Sequence, residues 1–81
     1  MKVNIPGYTT IIGQPAAILQ VMQDARMLDE LSGDELIEEI TQTAWRAFGI
    51  GLQVTGDNYE DRAESLLREM HKNHMINIEE D

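Results

Sequence analysis

The chain has 81 residues, a formal net charge of −9 from 15 acidic against 6 basic residues, and no cysteine. A chain of this length supports one compact core, so a single domain is predicted over residues 1–81. The charge disfavours direct binding to nucleic acid or to an anionic membrane, because both repel an acidic protein. The lack of cysteine excludes disulfides and thiolate metal sites, and the lack of a signal-like segment or a long apolar run further predicts a cytoplasmic protein.

The N-terminal residues predict strands followed by a helix. Residues 3 to 12 are rich in β-branched side chains and contain the turn signal Pro6-Gly7, which predicts one or two short strands. Gly13 interrupts this run, and Pro15 suits the first turn of a helix, where its missing N–H costs nothing. From residue 16 to about residue 31, apolar side chains recur at helical spacing and predict the first helix. Its apolar stripe is Ile18, Val21, Met22, Ala25 and Leu28.

A second helix is predicted from about residue 34 to residue 48. Ser32 and Glu35 have the spacing of a capping box before it, and Gly49 is the expected C′ residue after it. Acidic residues at its N-terminal end complement the helix dipole. Its apolar stripe is Leu36, Ile37, Ile40, Ala44, Ala47 and Phe48.

A third helix is predicted from about residue 58 to residue 73. Asp57 and Glu60 repeat the capping spacing, with the aspartate as the cap. The preceding residues 50 to 55 alternate in polarity, which suits either a short strand or an extended connection. The apolar stripe of the third helix is Tyr59, Ala63, Leu66, Leu67, Met70 and His74.

The C-terminal tail decides the predicted fold class. Residues 75 to 78 alternate like a strand, and pairing with the N-terminal strand would bury their apolar side chains. We therefore predict an α+β fold in which three helices pack with a small sheet of N-terminal and C-terminal strands. The alternative is an all-α three-helix bundle with extended ends.

Residues that carry catalytic or metal chemistry form weak patterns in this chain. Ser32 and Ser65 are its only serines, neither lies in a nucleophile motif, and a chain this small rarely encloses a pocket that shifts a carboxyl pKa. His71 and His74 are close enough in sequence to share a metal, and Glu69 or the acids of the tail could complete its shell, but two histidines alone are more often structural. We expect His74 to pack at the edge of the apolar stripe and His71 to be solvated. The sequence therefore predicts no enzyme, no cofactor and no metal site.

The acidic residues form two groups that could bind a partner. Residues 29 to 39 hold six carboxylates and no base, and residues 57 to 64 hold a second group relieved only by Arg62. Trp45 lies on the flank of the second helix nearest Glu38 and Gln42, and tryptophan is enriched in binding hot spots. Alternatively, Trp45 closes the edge of the core and the acids only keep the protein soluble. The predicted partner-binding residues are Glu35, Glu38, Glu39, Trp45, Asp57, Glu60 and Asp61.

Methionines complete the set of candidate contacts. Met22 and Met70 are predicted to fill gaps in the core, which is the commoner use of methionine in a small domain. Met27 lies away from the stripe of the first helix, so we expect it to be an exposed anchor at a dimer contact.

In overall order the chain resembles small acidic proteins of prophages and integrative elements. The likeness consists of a short β start, a helix that begins with Gly-Gln-Pro-Ala-Ala at residues 13–17, and acidic helices behind it. Proteins of this kind include anti-CRISPR inhibitors and other acidic decoys, some of which occupy a nucleic-acid groove. The resemblance implies a class of possible functions that includes inhibition of a nucleic-acid-handling protein, and it assigns no site residue.

These observations predict a small acidic protein-interaction module without catalytic activity. It would dock carboxylates of the second and third helices on the basic surface of a partner protein, as a decoy that mimics nucleic acid. The alternative is a self-associating structural or assembly accessory protein, in which a homodimer forms through apolar helix faces and the acids only confer solubility.

Overall fold

The computed structural model describes residues 1–25 and 33–79. In this part of the chain three helices pack with a three-stranded antiparallel sheet of strand order β2-β1-β3. The predicted α+β fold is confirmed, and the all-helical alternative is wrong. The elements in chain order are β1 (Lys2–Asn4), β2 (Thr10–Ile12), α1 (Pro15–Ala25), α2 (Gly33–Phe48), α3 (Tyr59–Lys72) and β3 (Asn77–Ile78).

The sheet joins the start of the chain to its C-terminal tail. Strands β1 and β2 form a hairpin whose turn contains Gly7 at φ 77°, a left-handed conformation that glycine adopts without strain. In the central strand β1, Val3 pairs with Ile11 on one side and with Ile78 on the other. The predicted pairing of the tail with the N-terminal strand is therefore confirmed.

The buried face of α1 differs from the predicted one. Ile18 and Met22 are buried as predicted, but the face is completed by Leu19 and Gln23, and Val21 is 39% exposed. Residues 18 and 22 belong to both the predicted and the observed buried face, so the two faces differ only by a small rotation of the helix about its axis. The observed rotation buries a leucine in place of a smaller valine, which removes more apolar surface from water.

Several predictions fall outside the described residues. The side chain of Ala25 and the whole of Met27, Leu28 and Ser32 belong to that group. The exposed anchor at residue 27 and the capping box at residue 32 therefore stay predictions.

The last turn of α2 extends beyond the core. Leu36, Ile37, Ile40 and Ala44 are buried as predicted. Residues 47 and 48, at the end of the same stripe, are exposed, and Phe48 is 67% exposed. The prediction that they are buried is wrong, because no described element packs over this last turn.

Helix α3 begins one residue later than its predicted cap implies. Its N-cap is Asn58, whose side-chain oxygen accepts a hydrogen bond of 2.9 Å from the N–H of Asp61. The predicted pair of Asp57 and Glu60 is therefore wrong by one position, although the spacing and the chemistry are those of a capped start.

The C-terminal end of α3 is a Schellman motif centred on His74. The N–H of His74 donates to the carbonyl of His71, and the N–H of Met75 donates to the carbonyl of Met70 at 2.9 Å. His74 has φ 63° and is exposed beyond the helix, so its predicted place on the apolar stripe is wrong. Met70 itself is buried, as predicted.

Residues 50–58 form an extended connection between α2 and α3, without strand pairing. The N–H of Gln53 donates to the carboxylate of Glu69, and the N–H of Thr55 donates to the hydroxyl of Ser65, both at 3.0 Å. These side chains of α3 accept hydrogen bonds from backbone N–H groups that a neighbouring strand would otherwise satisfy. Within the described helices, none is both long and apolar enough to cross a membrane.

Candidate partner-binding surface

The outer face of α2 carries acidic residues at one end and a tryptophan at the other. Glu35, Glu38, Gln42 and Trp45 recur at intervals of three and four residues, so they lie on one stripe of the helix. All four side chains are exposed, and this stripe lies opposite the buried residues of the same helix. Trp45 is 64% exposed, so it does not close the edge of the core. We call these four residues the α2 stripe.

An open groove of about 430 Å³ lies beside Trp45. It forms because Gly49, at φ 68°, ends the helix and turns the chain so that residues 51 and 52 return alongside α2. Gly49 donates its N–H to the carbonyl of Trp45 at 2.9 Å, which fixes this turn. The groove is lined by Thr41, Gln42, Trp45, Arg46, Gly51 and Leu52.

The charged side chains around the groove make exposed, weak contacts with their neighbours. Glu38 accepts a hydrogen bond of 3.0 Å from the side chain of Gln42. Glu39 and Arg46 approach to 3.9 Å, and their side chains are 42% and 65% exposed. Because exposed ion pairs contribute little to stability, both groups can change partner when another charged surface arrives.

The N-terminal ends of α2 and α3 adjoin each other. A guanidinium nitrogen of Arg62 lies 2.8 Å from the carboxylate of Asp34. Beside this pair, the ring of Tyr59 packs so closely on Gly33 that a Cβ atom there would lie 3.3 Å from it. The absence of a side chain at residue 33 therefore lets the two helices approach.

The hydroxyl of Tyr59 has a raised pKa at this junction. Burial raises the pKa of its hydroxyl above the ordinary value of 10.0, and the nearby carboxylates of Asp34 and Glu60 raise it further. These causes act in the same direction, because each disfavours the phenolate.

The second predicted group of acids takes part in holding the helices together. The side chain of Asp61 accepts a hydrogen bond of 3.2 Å from the amide of Asn58, and its N–H completes the cap of α3. Glu60 accepts a hydrogen bond of 3.4 Å from the N–H of Ala16, in the first turn of α1. Asp57 is exposed in the turn before α3. Thus Glu60 and Asp61 have local structural roles in addition to their charge.

The seven predicted site residues are divided between two places. Glu35 belongs to the end of α2 that adjoins α3, where Glu60 and Asp61 also lie. Trp45 lies about 15 Å farther along α2, given a rise of 1.5 Å per residue. The predicted site residues therefore do not form one compact site: the tryptophan lies near the C-terminal end of α2, and the second group of acids lies near the N-terminal end of α3.

The two histidines lie at the C-terminal end of α3 and just beyond it. Nδ1 of His71 accepts a hydrogen bond of 3.1 Å from the N–H of Ile78 in β3, a contact that the prediction of a solvated residue missed. His74 has turned away into the left-handed position at the helix end. Among the described residues, no three acidic or histidine side chains come close enough to hold a metal ion.

Within residues 1–25 and 33–79, four large apolar residues are exposed besides Trp45, and sequence reasoning missed them. Tyr8, Ile12 and Phe48 are 56%, 75% and 67% exposed, and Val21 is exposed to a smaller extent. The exposure of Ile12 had a signal, since neighbouring residues of a strand point to opposite faces and only one of two adjacent isoleucines can face the core.

Comparisons of the chain with protein families, with curated proteins and with solved structures found no match. The resemblance to proteins of prophages and integrative elements therefore stays a prediction.

Proposed function

We propose that this protein is a cytoplasmic protein-interaction module, without catalytic activity, that docks the α2 stripe on a basic surface of a partner protein. The observation that carries the proposal is the exposure of Trp45 on a groove at the end of a row of carboxylates. A tryptophan that serves only the fold is normally covered, because exposing its ring to water is unfavourable.

The two ends of the α2 stripe have different roles in this proposal. Glu35 and Glu38 attract the partner and set its orientation, which raises the association rate at low salt. Trp45 supplies apolar contact area, and its rigid ring loses little conformational entropy on binding. Binding therefore weakens as salt rises, while the tryptophan controls the dissociation rate.

We further propose that the partner surface is one that otherwise binds a nucleic acid. Carboxylates one helical turn apart along α2 offer a row of negative charges to lysines and arginines that contact phosphates. The net charge of −9 makes the protein as a whole a competitor for such a surface. Inhibition then arises from occlusion, without any chemical step. The likeness to anti-CRISPR inhibitors and other mobile-element proteins motivates this proposal.

The decisive experiment compares variants that change net charge equally. In E35Q/E38Q two carboxylates of the α2 stripe are neutralised, and in the control E64Q/E79Q two carboxylates of exposed ion pairs elsewhere are neutralised. Each variant is immobilised and used to capture proteins from nuclease-treated lysate of the source cells at low and at high salt. The captured protein is then purified, and its affinity is measured by calorimetry.

The proposal expects E35Q/E38Q to weaken the affinity and to flatten its salt dependence, while E64Q/E79Q stays close to the parent protein. W45A should weaken binding by about 30-fold or more, since a hot-spot residue contributes at least about 2 kcal/mol. Equal effects of the two double variants would show that only net charge matters. An unchanged affinity of W45A would remove Trp45 from the binding surface.

A further inference from the structure

The charge of this protein is distributed very unevenly along the chain. Residues 3–23 contain no charged side chain, although the protein as a whole carries a net charge of −9. These residues form most of the β1–β2 hairpin and most of helix α1. Three of the exposed large apolar residues, Tyr8, Ile12 and Val21, belong to this uncharged segment. The hairpin thus presents neutral, partly apolar surface on an acidic protein.

Strand β2 has one free edge among the described residues. It pairs with β1 alone, because the strand order is β2-β1-β3. On the two sides of β2, the N–H of Ile5 donates to the carbonyl of Thr9, and the N–H of Gly13 donates to the carbonyl of Met1. The backbone groups of odd-numbered residues in and beside β2 therefore point toward β1. By the alternation of an antiparallel ladder, the backbone groups of Thr10 and Ile12 point away from β1.

This edge lacks the side chains with which proteins usually block strand addition. Edge strands are commonly protected by lysine, proline, a bulge or a very short length, and β2 has only the last of these, with three residues, Thr10 to Ile12. Lys2 lies opposite Ile12 in β1, and its ammonium lies 3.5 Å from the carboxylate of Glu79, which follows β3 at the other edge of the sheet. Ile12 is the most exposed large apolar residue that the structure describes.

We propose that two copies of this chain associate by antiparallel pairing of their β2 strands into one continuous six-stranded sheet. The two-fold axis passes between Ile11 and Ile11 of the partner subunit. Thr10 of one copy then exchanges two backbone hydrogen bonds with Ile12 of the partner subunit, and by symmetry Ile12 of the first copy does the same with Thr10 of the partner subunit. On the outer face of the sheet, Ile12 of each copy packs beside Thr10 of the other.

The charge distribution selects a second copy as the occupant. Two molecules with a net charge of −9 repel each other wherever carboxylates face carboxylates, and β2 is a place where neither copy presents any. A basic partner gains nothing from this neutral edge, whereas it gains Coulomb energy at the α2 stripe. Self-association at β2 does not depend on the proposed function.

Salt distinguishes the two surfaces. Screening reduces the long-range repulsion between the two acidic copies, so the dimer becomes tighter as salt rises. Binding of a basic protein to the α2 stripe becomes weaker over the same range. The two effects have opposite signs and are measured on the same preparation.

The test is sedimentation equilibrium of the full chain over a wide concentration range, at low and at high salt, for I12K and for the control F48K. Both substitutions replace an exposed apolar residue with lysine, so they change the net charge equally. I12K should raise the dimer dissociation constant by at least about tenfold, because the change occurs twice in a symmetric interface. F48K should leave it unchanged. Circular dichroism melting shows whether both variants keep the fold.

Amide hydrogen exchange tests the pairing itself. The N–H groups of Thr10 and Ile12 should become protected as protein concentration rises, and I12K should abolish that gain. A protein that stays monomeric at high salt and high concentration would overturn the proposal. Equal weakening by I12K and F48K, or a dimer without concentration-dependent protection at these two amides, would also overturn it.

Discussion

Arg62 and Asp34 join the first turns of α3 and α2 through two contacts to one carboxylate oxygen. Nη2 and Nε of Arg62 lie 2.8 Å and 2.9 Å from Oδ1 of Asp34. The arginine side chain is 29% exposed and the aspartate side chain is 70% exposed, so one partner of the pair is shielded from water. This contact joins residues that are 28 positions apart in two consecutive helices, and it places the acidic ends of these helices side by side.

Removal of the Arg62–Asp34 pair should destabilise the fold measurably. A double-mutant cycle of R62A and D34A, followed by urea denaturation, should give a coupling energy of about 1 kcal/mol, at the upper end for a partly exposed pair. The same cycle on Lys2 and Glu79, which are 3.5 Å apart and half-exposed, should give a coupling near zero. Equal coupling in the two cycles would contradict the role of Arg62 at the helix junction.

Gly56 should tolerate no side chain. It has φ 143°, and a Cβ atom there would lie 2.8 Å from the backbone nitrogen of Arg62. Because backbone atoms cannot move aside without disturbing the start of α3, G56A should lower the free energy of unfolding by about 3 kcal/mol or more.

Gly51 is the matched control for Gly56 in the same connection. A Cβ atom at Gly51 has nothing within 4 Å, and its φ lies outside the left-handed region. G51A should therefore be neutral within about 0.5 kcal/mol, or slightly stabilising, in urea denaturation. A G51A protein as unstable as G56A would show that the strain has another cause.

The two helix C-termini should respond in opposite ways when a side chain is removed at one and added at the other. Gly49 and His74 both occupy the left-handed position after a helix, at φ 68° and φ 63°. A side chain there costs about 1 kcal/mol, so H74G should raise the stability by about that amount and G49A should lower it similarly. H74A, which keeps a Cβ atom, should not reproduce the gain; thermal unfolding of the three variants tests the prediction.

The stability of the fold should fall at alkaline pH because of Tyr59. Its pKa in the folded state is raised by burial and by Asp34 and Glu60, so its contribution is complete below pH 10 and is lost as pH rises through the folded pKa. We expect the free energy of unfolding of Y59F to decline less above pH 10 than that of the parent protein.

The matched control for Y59F is Y8F, since Tyr8 is 56% exposed at the hairpin. Y8F should follow the parent protein over the same alkaline range in denaturant titrations. If Y8F and Y59F behaved alike, the alkaline loss of stability would not come from Tyr59 at the helix junction.

The elements that could be predicted are those for which local pattern and tertiary packing agree. In α3 the residues Ala63, Leu66, Leu67 and Met70 form an unambiguous stripe, and all four are buried. The tail alternates in polarity, and its position beside β1 follows from the need to bury Ile76, which is 2% exposed.

The errors lie where two local solutions compete. In α1 either Leu19 or Val21 could have joined Ile18 on the buried face, and only the shape of the neighbouring elements decides between them. Phe48 continues a stripe that is correct up to Ala44, but a periodic pattern does not show where the core ends. Asn58 and Asp57 are both good caps, so the start of α3 was uncertain by one residue.

The candidate surface was predictable only in part. The exposure of Trp45 agrees with its position off the apolar stripe of α2. In contrast, the capping role of Asp61 and the contact of Glu60 with α1 depend on the arrangement of three helices, which no short-range spacing encodes. The free edge of β2 depends in turn on which side of β1 the tail occupies.

The position of Trp45 determines what optical spectroscopy can report about this protein. It is the only tryptophan in the chain, and it is already mostly in water when the protein is folded. Its fluorescence should therefore change little on unfolding, so the denaturation experiments above require circular dichroism. A partner that covers the groove would instead transfer the indole from water to a protein environment. The native chain thus carries a label-free probe for binding that is nearly silent for folding.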